Sequence, residues 1–322
     1  MSDENGNGKK PRIGFIGTGH IGTPMAFKLL EAGYQVVVFN RTEDRARSLE
    51  AKGAVIAESP RHLAAKAEII MSAVSDDDAV RAVYYGPRGV LAGARPDSTI
   101  IEFSTIYPDT SRCLWEAARE KGVHCLDAKI SGSVQEAKRG ELVVMVGGNR
   151  DVFERRKPVL DAMCKAAFYV GPAGSAATMK LVINTILAVG MQAVAEALAL
   201  GEKAGLPREE VVDVLSKTYV IGPAHIGKLD NALTGEYPVA FSVALMRKDM
   251  GLMLRMAAEL GVPMPATAIC EQMVTAEKAK GLDEDYSAVM KLMEELSSTQ
   301  AVQRVARSAA AVEKEASEDI IT

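Results

Sequence analysis

One long apolar stretch, residues 174–204, constrains the fold of this 322-residue chain more than any other feature. Before its last turn, its only charged or amide side chains are Lys180, Asn184, Gln192 and Glu196. A helix of this length spans about 45 Å at 1.5 Å per residue. Such a helix can leave one domain and form the spine of another, and an apolar surface on nearly all sides predicts burial all round.

Lys180 and Asn184 lie four residues apart, so they share one face of this helix. In one interpretation, the lysine extends its ammonium group to water and neighbouring backbone satisfies the asparagine. In the other, they are a proton donor and a substrate-orienting amide that face a cleft between two domains. The helix alone leaves both interpretations open.

The composition excludes several classes of partner. A net charge of −4 and a pI near 5.8 give no basic surface for nucleic acid or an anionic membrane. The four cysteines form no C-x-x-C pair and the four histidines are isolated, so we expect reduced thiols and no metal site. The polar N-terminus lacks an apolar signal core, and polar residues interrupt the long helix. We therefore expect a cytoplasmic protein without a membrane segment.

A glycine-rich turn follows the first apolar run, residues 12–17, and precedes a helical pattern that Gly33 ends. A second strand is predicted at residues 35–39. This strand–helix–strand unit places the pyrophosphate of a dinucleotide on the N-terminus of the helix. The residues predicted to contact the cofactor there are Gly17, Gly19, His20, Ile21 and Gly22.

The end of the second strand favours NADP over NAD. NAD binding expects an acidic residue there, whereas this chain has Asn40, Arg41 and Thr42. The guanidinium of Arg41 can pair with a 2′-phosphate, and Arg45 lies one helical turn beyond it. The alternative for Arg41 is an ordinary surface charge.

Strands and helices continue to alternate as far as residue 146, which is typical of an α/β Rossmann domain with a doubly wound parallel sheet. Ligands of such sheets bind beyond the carboxyl ends of the strands. We therefore expect Val74, Ser75 and Thr105, which follow or end two strands, to contact the cofactor. The remaining predicted strands are 54–56, 68–74, 99–103, 123–126 and 142–146, and the intervening helices include 60–66 and 109–121.

Three polar groups stand at these strand ends. Ser75 with the acidic residues 76–78 could bind a metal, although a helix cap is the commoner use of this pattern. Ser104 and Thr105 could place hydroxyl groups beside the nicotinamide. The stretch Ser131-Gly132-Ser133 could form a small anion site or could be only a turn.

Beyond residue 174 only helical patterns remain, so the second domain is predicted to be all-α. We expect domains at 11–173 and 174–296, with tails at 1–10 and 297–322. Lys248 and Asp249 interrupt an apolar helix and either face the same cleft or form a surface pair. Because one small domain cannot cover the long apolar helix, a homodimer or homotetramer is expected. The predicted helices are 208–217, 241–260, 266–280 and 287–296.

Taken together, these motifs resemble the β-hydroxyacid dehydrogenase family over residues 11–296, and most closely its glyoxylate/succinic semialdehyde reductase branch. The motifs are G-F-I-G-T-G-H-I-G, N-R-T, F-S-T, S-G-S, G-x-x-x-x-x-K-x-x-x-N and F-S-V-A-L-M-R-K-D-M. The resemblance implies NADPH-dependent reduction of a small carboxylate-bearing aldehyde, with oxidation of a hydroxy acid as the reverse reaction. It assigns proton donation to Lys180, substrate orientation to Asn184, the carboxylate site to Ser131, Gly132 and Ser133, and the pocket lining to Thr105, Phe241, Asp249 and the nearby Lys248.

The chain departs from the family at one position: Lys129 stands where a proline is usual. This lysine either lies outside the pocket or adds a cation to it. Imine reductases share the architecture but typically lack the catalytic lysine, and 6-phosphogluconate dehydrogenases have a histidine where this chain has Ile183. A third alternative is a non-catalytic NADP-binding module, which has no need for Lys180, Asn184 and the S-G-S stretch together. Burial in an apolar helix is expected to lower the pKa of Lys180, because desolvation disfavours the charged ammonium.

Overall fold

The computed structural model describes residues 10–281 and 284–298. The expected tails therefore lie outside the described residues, apart from Lys10, Ser297 and Ser298. The chain divides into two compact units, Met1–Ile183 and Asn184–Thr322, and the boundary falls within the long helix.

The first unit contains an eight-stranded sheet in the part of the chain that the structure describes, with strand order β3-β2-β1-β4-β5-β6-β7-β8. The strands are β1 (Ile13–Ile16), β2 (Val36–Phe39), β3 (Val55–Ile56), β4 (Ile69–Ser72), β5 (Thr99–Glu102), β6 (His124–Ser131), β7 (Leu142–Gly148) and β8 (Cys164–Gly171). The helices are α1 (Gly22–Glu31), α2 (Arg47–Glu50), α3 (Pro60–Lys66), α4 (Asp77–Tyr84), α5 (Pro108–Glu120), α6 (Val134–Arg139), α7 (Arg150–Leu160) and α8 (Ser175–Lys203), with short 3₁₀ helices at Glu43–Ala46 and Val90–Ala92.

Helices cover both faces of the sheet, as the alternation of side chains along a strand requires. In β1, Ile13 and Phe15 pack into the core under α1, α6 and α7, whereas Ile16 packs into the core under α3, α4 and α5. Gly14 faces α3 so closely that a Cβ atom there would lie 2.2 Å from Leu63 Cδ2. The predicted doubly wound Rossmann architecture is thus confirmed.

The sheet differs from the prediction in three details. It is not wholly parallel, because β7 runs antiparallel to β6. Strand β8 was not predicted, since its residues alternate weakly and Phe168 is largely exposed. Strand β6 extends beyond its predicted end at Leu126 to Ser131. The prediction ended too early because Asp127 and Lys129 interrupt the apolar pattern, although both side chains are buried.

The second unit is all-α, as predicted. Beyond its share of α8, its described residues form α9 (Arg208–Lys217), α10 (Pro223–Ile226), α11 (Leu229–Thr234), α12 (Val243–Leu260), α13 (Pro265–Ala279), a 3₁₀ helix at Tyr286–Ala288 and α14 (Val289–Ser297). Arg208 connects several of these helices: it ion-pairs with Glu202 of α8 and lies 2.7 Å from Glu294 of α14. Its guanidinium also donates to the carbonyl of Ala232 in α11 at 2.8 Å.

Helix α8 has the predicted span, but the prediction that it is buried all round is wrong for the single chain. Ile186 and Leu200 expose 70% and 73% of their surface, and Met179 and Val182 are exposed on the same helix. By length and composition alone, α8 is also apolar enough to cross a membrane, a test that core helices of soluble proteins pass too. The physical reason for the error is that one chain covers only part of the apolar surface of this helix.

Glu277, on α13, is a buried acid that the sequence did not reveal. Its side chain is inaccessible to solvent, and neither carboxylate oxygen has a hydrogen-bond partner among the described residues. Burial, reinforced by the charge of Glu284, raises the pKa of Glu277 to about 8. The folded chain therefore holds this proton more tightly than the unfolded chain, in which the carboxyl group titrates at its ordinary, lower pKa.

This shift predicts a loss of stability as the pH rises from about 4.5 to about 8, because the folded state must then give up a proton that it binds tightly. Glu277→Gln removes the titration and should lessen the decrease in unfolding free energy between pH 5 and pH 8 by roughly 2–4 kcal/mol. Urea unfolding at the two pH values measures this difference, with the exposed Glu259→Gln on α12 as the control. An unaltered pH dependence in Glu277→Gln would show that the buried carboxyl group does not contribute.

Candidate active site

The glycine-rich turn has the geometry that a dinucleotide requires. Gly17 has φ +91°, and a Cβ atom there would lie 2.2 Å from the carbonyl oxygen of Ala73. A Cβ atom at Gly22 would lie 1.9 Å from the carbonyl oxygen of Gly17, whereas Gly19 has open space on its Cβ side. Helix α1 begins at Gly22 without a side-chain cap or an acidic residue in its first turn. Its amides, and the open approach at Gly19, therefore suit a pyrophosphate.

Asn40 connects this turn to the end of β2. Its Oδ1 accepts a hydrogen bond from the amide of Thr18 at 3.1 Å, and its Nδ2 donates to the carbonyl of Thr42 at 2.8 Å. The side chains of Arg41, Thr42 and His20 are exposed. The hydroxyl of Thr18 is buried and has no hydrogen-bond partner within the described residues. The residues present fit a dinucleotide whose ribose lies near the neutral Asn40 and the cationic Arg41.

The ends of β4 and β5 are joined by hydrogen bonds. The amide of Val74 donates to Ser104 Oγ at 2.8 Å, and the amide of Ser104 donates to Glu102 Oε1 at 2.7 Å. Thr105, the next residue, is half-buried. The structure thus brings together the segments that contain Val74 and Thr105, both predicted to contact the cofactor.

Two of the acidic residues after β4 accept hydrogen bonds from backbone amides, and the third, Asp78, pairs with Arg81. Asp76 caps α4 by accepting from the amide of Ala79 at 2.8 Å, and the exposed Ser75 donates to its carboxylate. Asp77 accepts from the amide of Tyr107 at 3.0 Å. Across residues 10–281 and 284–298, no group of three or more histidine, cysteine or acidic side chains could hold a metal ion.

The S-G-S stretch ends β6 and begins α6. Ser133 is the N-cap of α6, and its amide and hydroxyl both donate to the carboxylate of Glu136 in a capping box. The Ser133 hydroxyl lowers the pKa of Glu136 to about 2, and Arg139 lies 2.7 Å from that carboxylate. Gly132 has φ +132°, which favours glycine. Ser133 is therefore used in the helix cap. Ser131 provides the other hydroxyl group of this stretch, and it lies outside the cap.

Helix α8 presents Lys180 half-buried and, one turn later, Asn184 almost wholly buried. Asn184 Nδ2 donates to Asp249 Oδ2 at 2.7 Å, while Asn184 Oδ1 is buried without a donor among the described residues. Asp249 Oδ1 lies 2.9 Å from Lys248 Nζ, which is an ion-pair distance, but the angles do not meet those of a hydrogen bond. Because Asp249 is buried, Lys248 and Asp249 are not simply a surface pair, and the aspartate offsets the lysine's charge.

Phe241 is held by a residue that the sequence analysis missed. Its ring packs edge-on against Tyr286, with centroids 5.8 Å apart. Asp285 is inaccessible to solvent and accepts hydrogen bonds from the amides of Ala240 and Phe241, both at 3.0 Å. Lys228 pairs with the same carboxylate at 2.8 Å. No sequence signal distinguished Asp285 from the acidic residues around it.

The structure decides between the two possibilities for Lys129. Its side chain is inaccessible to solvent, and its Nζ lies 2.5 Å from Glu102 Oε2 and 3.0 Å from Asp127 Oδ1. Two buried carboxylates therefore neutralise this ammonium group. The possibility that Lys129 adds a cation to a substrate pocket is wrong.

Two family models match the chain. Residues 12–171 match the NAD binding domain of 6-phosphogluconate dehydrogenase. Residues 174–293 match the NAD-binding domain of NADP-dependent 3-hydroxyisobutyrate dehydrogenase. The two matches lie end to end, with only residues 172 and 173 between them.

Characterised relatives and solved structures extend over nearly the same residues. The chain is 35% identical over 290 residues to 2-(hydroxymethyl)glutarate dehydrogenase of Eubacterium barkeri, covering 89% of this chain and 96% of that protein. It is 33% identical to glyoxylate/succinic semialdehyde reductase 1 of Arabidopsis thaliana, covering 86% and 96%. The crystal structure of 3-hydroxyisobutyrate dehydrogenase from Salmonella typhimurium is similar with a TM-score of 0.81 at 29% identity, covering 88% and 100%.

Proposed function

Because the chain belongs to the β-hydroxyacid dehydrogenase family of NAD(P)-dependent oxidoreductases, we propose that it reduces a short aldehyde bearing a carboxylate, with NADPH as the reductant. Succinic semialdehyde and glyoxylate are the substrates that we put forward. The reverse reaction oxidises a small hydroxy acid. The protein similar to this chain in Arabidopsis thaliana is named for reduction of these two aldehydes, which supports the choice.

The observation that carries this proposal is the pair of polar residues on α8. Lys180 is half-buried, and Asn184 is buried with its amide nitrogen bound to Asp249 at 2.7 Å. That bond fixes the amide plane and leaves Asn184 Oδ1 as a buried acceptor. A buried acceptor without a donor is costly unless another group supplies a hydrogen bond. A substrate hydroxyl or an ammonium group is suited to do so.

In the proposed mechanism, the chain's own residues bind the substrate and move one proton. Bound NADPH supplies the hydride that reduces the carbonyl carbon. Lys180 gives a proton to the carbonyl oxygen as negative charge develops there, and takes it back when a hydroxy acid is oxidised. Asn184 Oδ1, the acceptor that the bond to Asp249 leaves open, accepts from the hydroxyl of the hydroxy acid and orients it without adding a charge. Ser131 and the amide of Gly132 bind the carboxylate.

The test is the consumption of NADPH with a panel of short aldehyde acids, followed by identification of the hydroxy acid formed. Steady turnover of at least one aldehyde acid is expected. NADPH binding without turnover of any aldehyde would favour the non-catalytic module. Turnover of cyclic imines alone would favour an imine reductase.

The preference for NADP gives a quantitative prediction. NADPH should bind at least about tenfold more tightly than NADH, roughly 1.4 kcal/mol, because Arg41 can pair with the 2′-phosphate and Asn40 places no carboxylate there. Arg41→Ala should remove most of this difference. Titration calorimetry with both cofactors measures it, and Arg47→Ala, an exposed arginine paired with Asp44 at 2.8 Å, is the control. Equal dissociation constants in the unmutated protein would disprove the assignment.

The exposed apolar side of α8 supports a further part of the proposal, that a second copy of the chain covers this helix. Ile186 and Leu200 lie 14 residues apart, close to four helical turns, so their largely exposed side chains share a face. Light scattering at micromolar concentration should give a homodimer or homotetramer. Ile186→Asp combined with Leu200→Asp should give a folded monomer. A monomeric unmutated protein would contradict this assembly.

A further inference from the structure

A buried ionic cluster lies inside the sheet of the first unit, where Lys129 stands between two carboxylates. Lys129 Nζ contacts Glu102 Oε2, Asp127 Oδ1 and the carbonyl oxygen of Glu102 at 2.5, 3.0 and 3.2 Å. All three side chains are almost or wholly inaccessible to solvent. Burying three charges is costly, and apolar residues of the same volume often stabilise a fold as well or better. Stability alone is therefore a weak explanation for this cluster.

Glu102 holds the segment that follows β5. Its Oε2 binds Lys129, while its Oε1 accepts the hydrogen bond from the amide of Ser104 at 2.7 Å. The hydroxyl of Ser104 in turn accepts from the amide of Val74 at the end of β4. One carboxylate thus fixes the turn that leads into Thr105, and with it the ends of two neighbouring strands.

Asp127 holds the beginning of α8. Its Oδ1 contacts Lys129 and accepts from the hydroxyl of Ser111 at 3.1 Å, while its Oδ2 accepts from the amide of Ala177 at 3.0 Å. The first amides of a helix have no partner within the helix, and a carboxylate there also interacts favourably with the helix dipole. The first turn of α8 contains no acidic residue of its own. Ala177 precedes Lys180 by three residues, so this contact fixes the turn from which Lys180 projects.

We propose that Lys129 is a positioning residue, which orients Glu102 and Asp127 so that the Ser104–Thr105 turn and the start of the Lys180 helix keep one fixed arrangement. The inference rests on the proposed function, because it gives Lys180 a reason to be held in place. It also gives a role to Lys129, which stands where the family usually has a proline.

The electrostatics of the cluster agree with this role. Burial raises the pKa of Glu102, and Lys129 and Ser104 oppose that rise. Burial alone lowers the pKa of Lys129, but Asp127 and Glu102 raise it above its ordinary value. The ammonium group therefore stays charged, and it favours the ionised form of Glu102, which accepts the hydrogen bond from the amide of Ser104.

Lys129→Met keeps an unbranched side chain, one atom shorter, and removes its charge. Amide hydrogen exchange at Ser104 and Ala177 should accelerate at least about tenfold, while the amides of β1 and β2 should keep their rates. The kcat for an aldehyde acid should fall about tenfold or more because the reacting groups are misplaced. Unchanged exchange at both amides would overturn the proposal. Acceleration throughout the sheet would indicate a merely structural role and would also overturn it.

Because Lys129→Met leaves two buried carboxylates without their cation, it could fail to fold. The neutral variant that combines Lys129→Met, Glu102→Gln and Asp127→Asn avoids this. It should unfold near the temperature of the unmutated protein but keep fast exchange at Ser104 and Ala177 and a low kcat. If the triple variant regains not only the stability but also the kcat and both exchange rates of the unmutated protein, the positioning role of Lys129 is contradicted. If the unmutated protein reduces no aldehyde, the proposed function fails, while the exchange rates still test the role of Lys129.

Discussion

Lys180→Ala is expected to lower kcat by about 10² to 10⁴, the usual effect of removing a general acid. The affinity for NADPH should stay within about twofold, because Lys180 lies on α8 and the glycine-rich turn that suits the pyrophosphate lies between β1 and α1. Steady-state kinetics with saturating NADPH give kcat, and fluorescence titration gives the dissociation constant. The loss should appear in kcat and kcat/KM alike, since the proton is transferred only in the transition state.

Lys203→Ala is the matched control, because this lysine is in the last turn of the same helix and donates to the carbonyl of Ser297 at 2.7 Å. It should leave kcat close to that of the unmutated protein. Turnover by Lys180→Ala at a near-normal rate would remove Lys180 from the mechanism. A parallel loss in both variants would point to damage to α8 rather than to lost chemistry.

The parts of the fold that the sequence predicted well are those with local signals. The span of α8 follows from a long apolar run without proline. The βαβ unit follows from glycines at positions where a Cβ atom would clash, such as Gly17 and Gly22. Gly33, predicted to end α1, has φ +78°. The helix predicted at 208–217 has those bounds as α9. In each case, the residues that decide the structure are neighbours along the chain.

The parts that escaped prediction depend on contacts between distant residues. Lys129 within β6 breaks the apolar pattern, and its buried charge is paired with Asp127 and with Glu102, 27 residues away. Asp285 holds the amides of Ala240 and Phe241 across about 45 residues. The exposure of α8 depends on how much of the helix one chain can cover. None of these contacts leaves a periodic signal in the sequence.

The candidate site shows the same division. Lys180 and Asn184 were predicted as a pair because they are four positions apart on one helix, and both lie on α8. Ser133 caps α6 together with Glu136, three residues later. This pair is a capping box, a local signal that was overlooked in the sequence. The proposed carboxylate site therefore narrows from three residues to Ser131 and Gly132.

The second large effect concerns the carboxylate of the substrate. A site that pairs hydroxyl and amide groups with a carboxylate leaves them unpaired when a neutral substrate binds, which is costly in a desolvated site. A neutral aldehyde should therefore lose at least about a hundredfold in kcat/KM, roughly 2.7 kcal/mol in transition-state stabilisation. Ser131→Ala should lower this discrimination. Ser133→Ala should instead destabilise α6 by about 1 kcal/mol through the lost cap, with a smaller effect on discrimination.

Comparison of succinic semialdehyde with butanal tests the central claim most directly, because both have four carbons and an aldehyde, and only one has a carboxylate. Initial rates of NADPH consumption at saturating cofactor give kcat/KM for each. A ratio of at least about 100 in favour of succinic semialdehyde is the predicted result. Equal efficiency with butanal, or reduction of cyclic imines alone, would contradict a reductase that binds its aldehyde by the carboxylate.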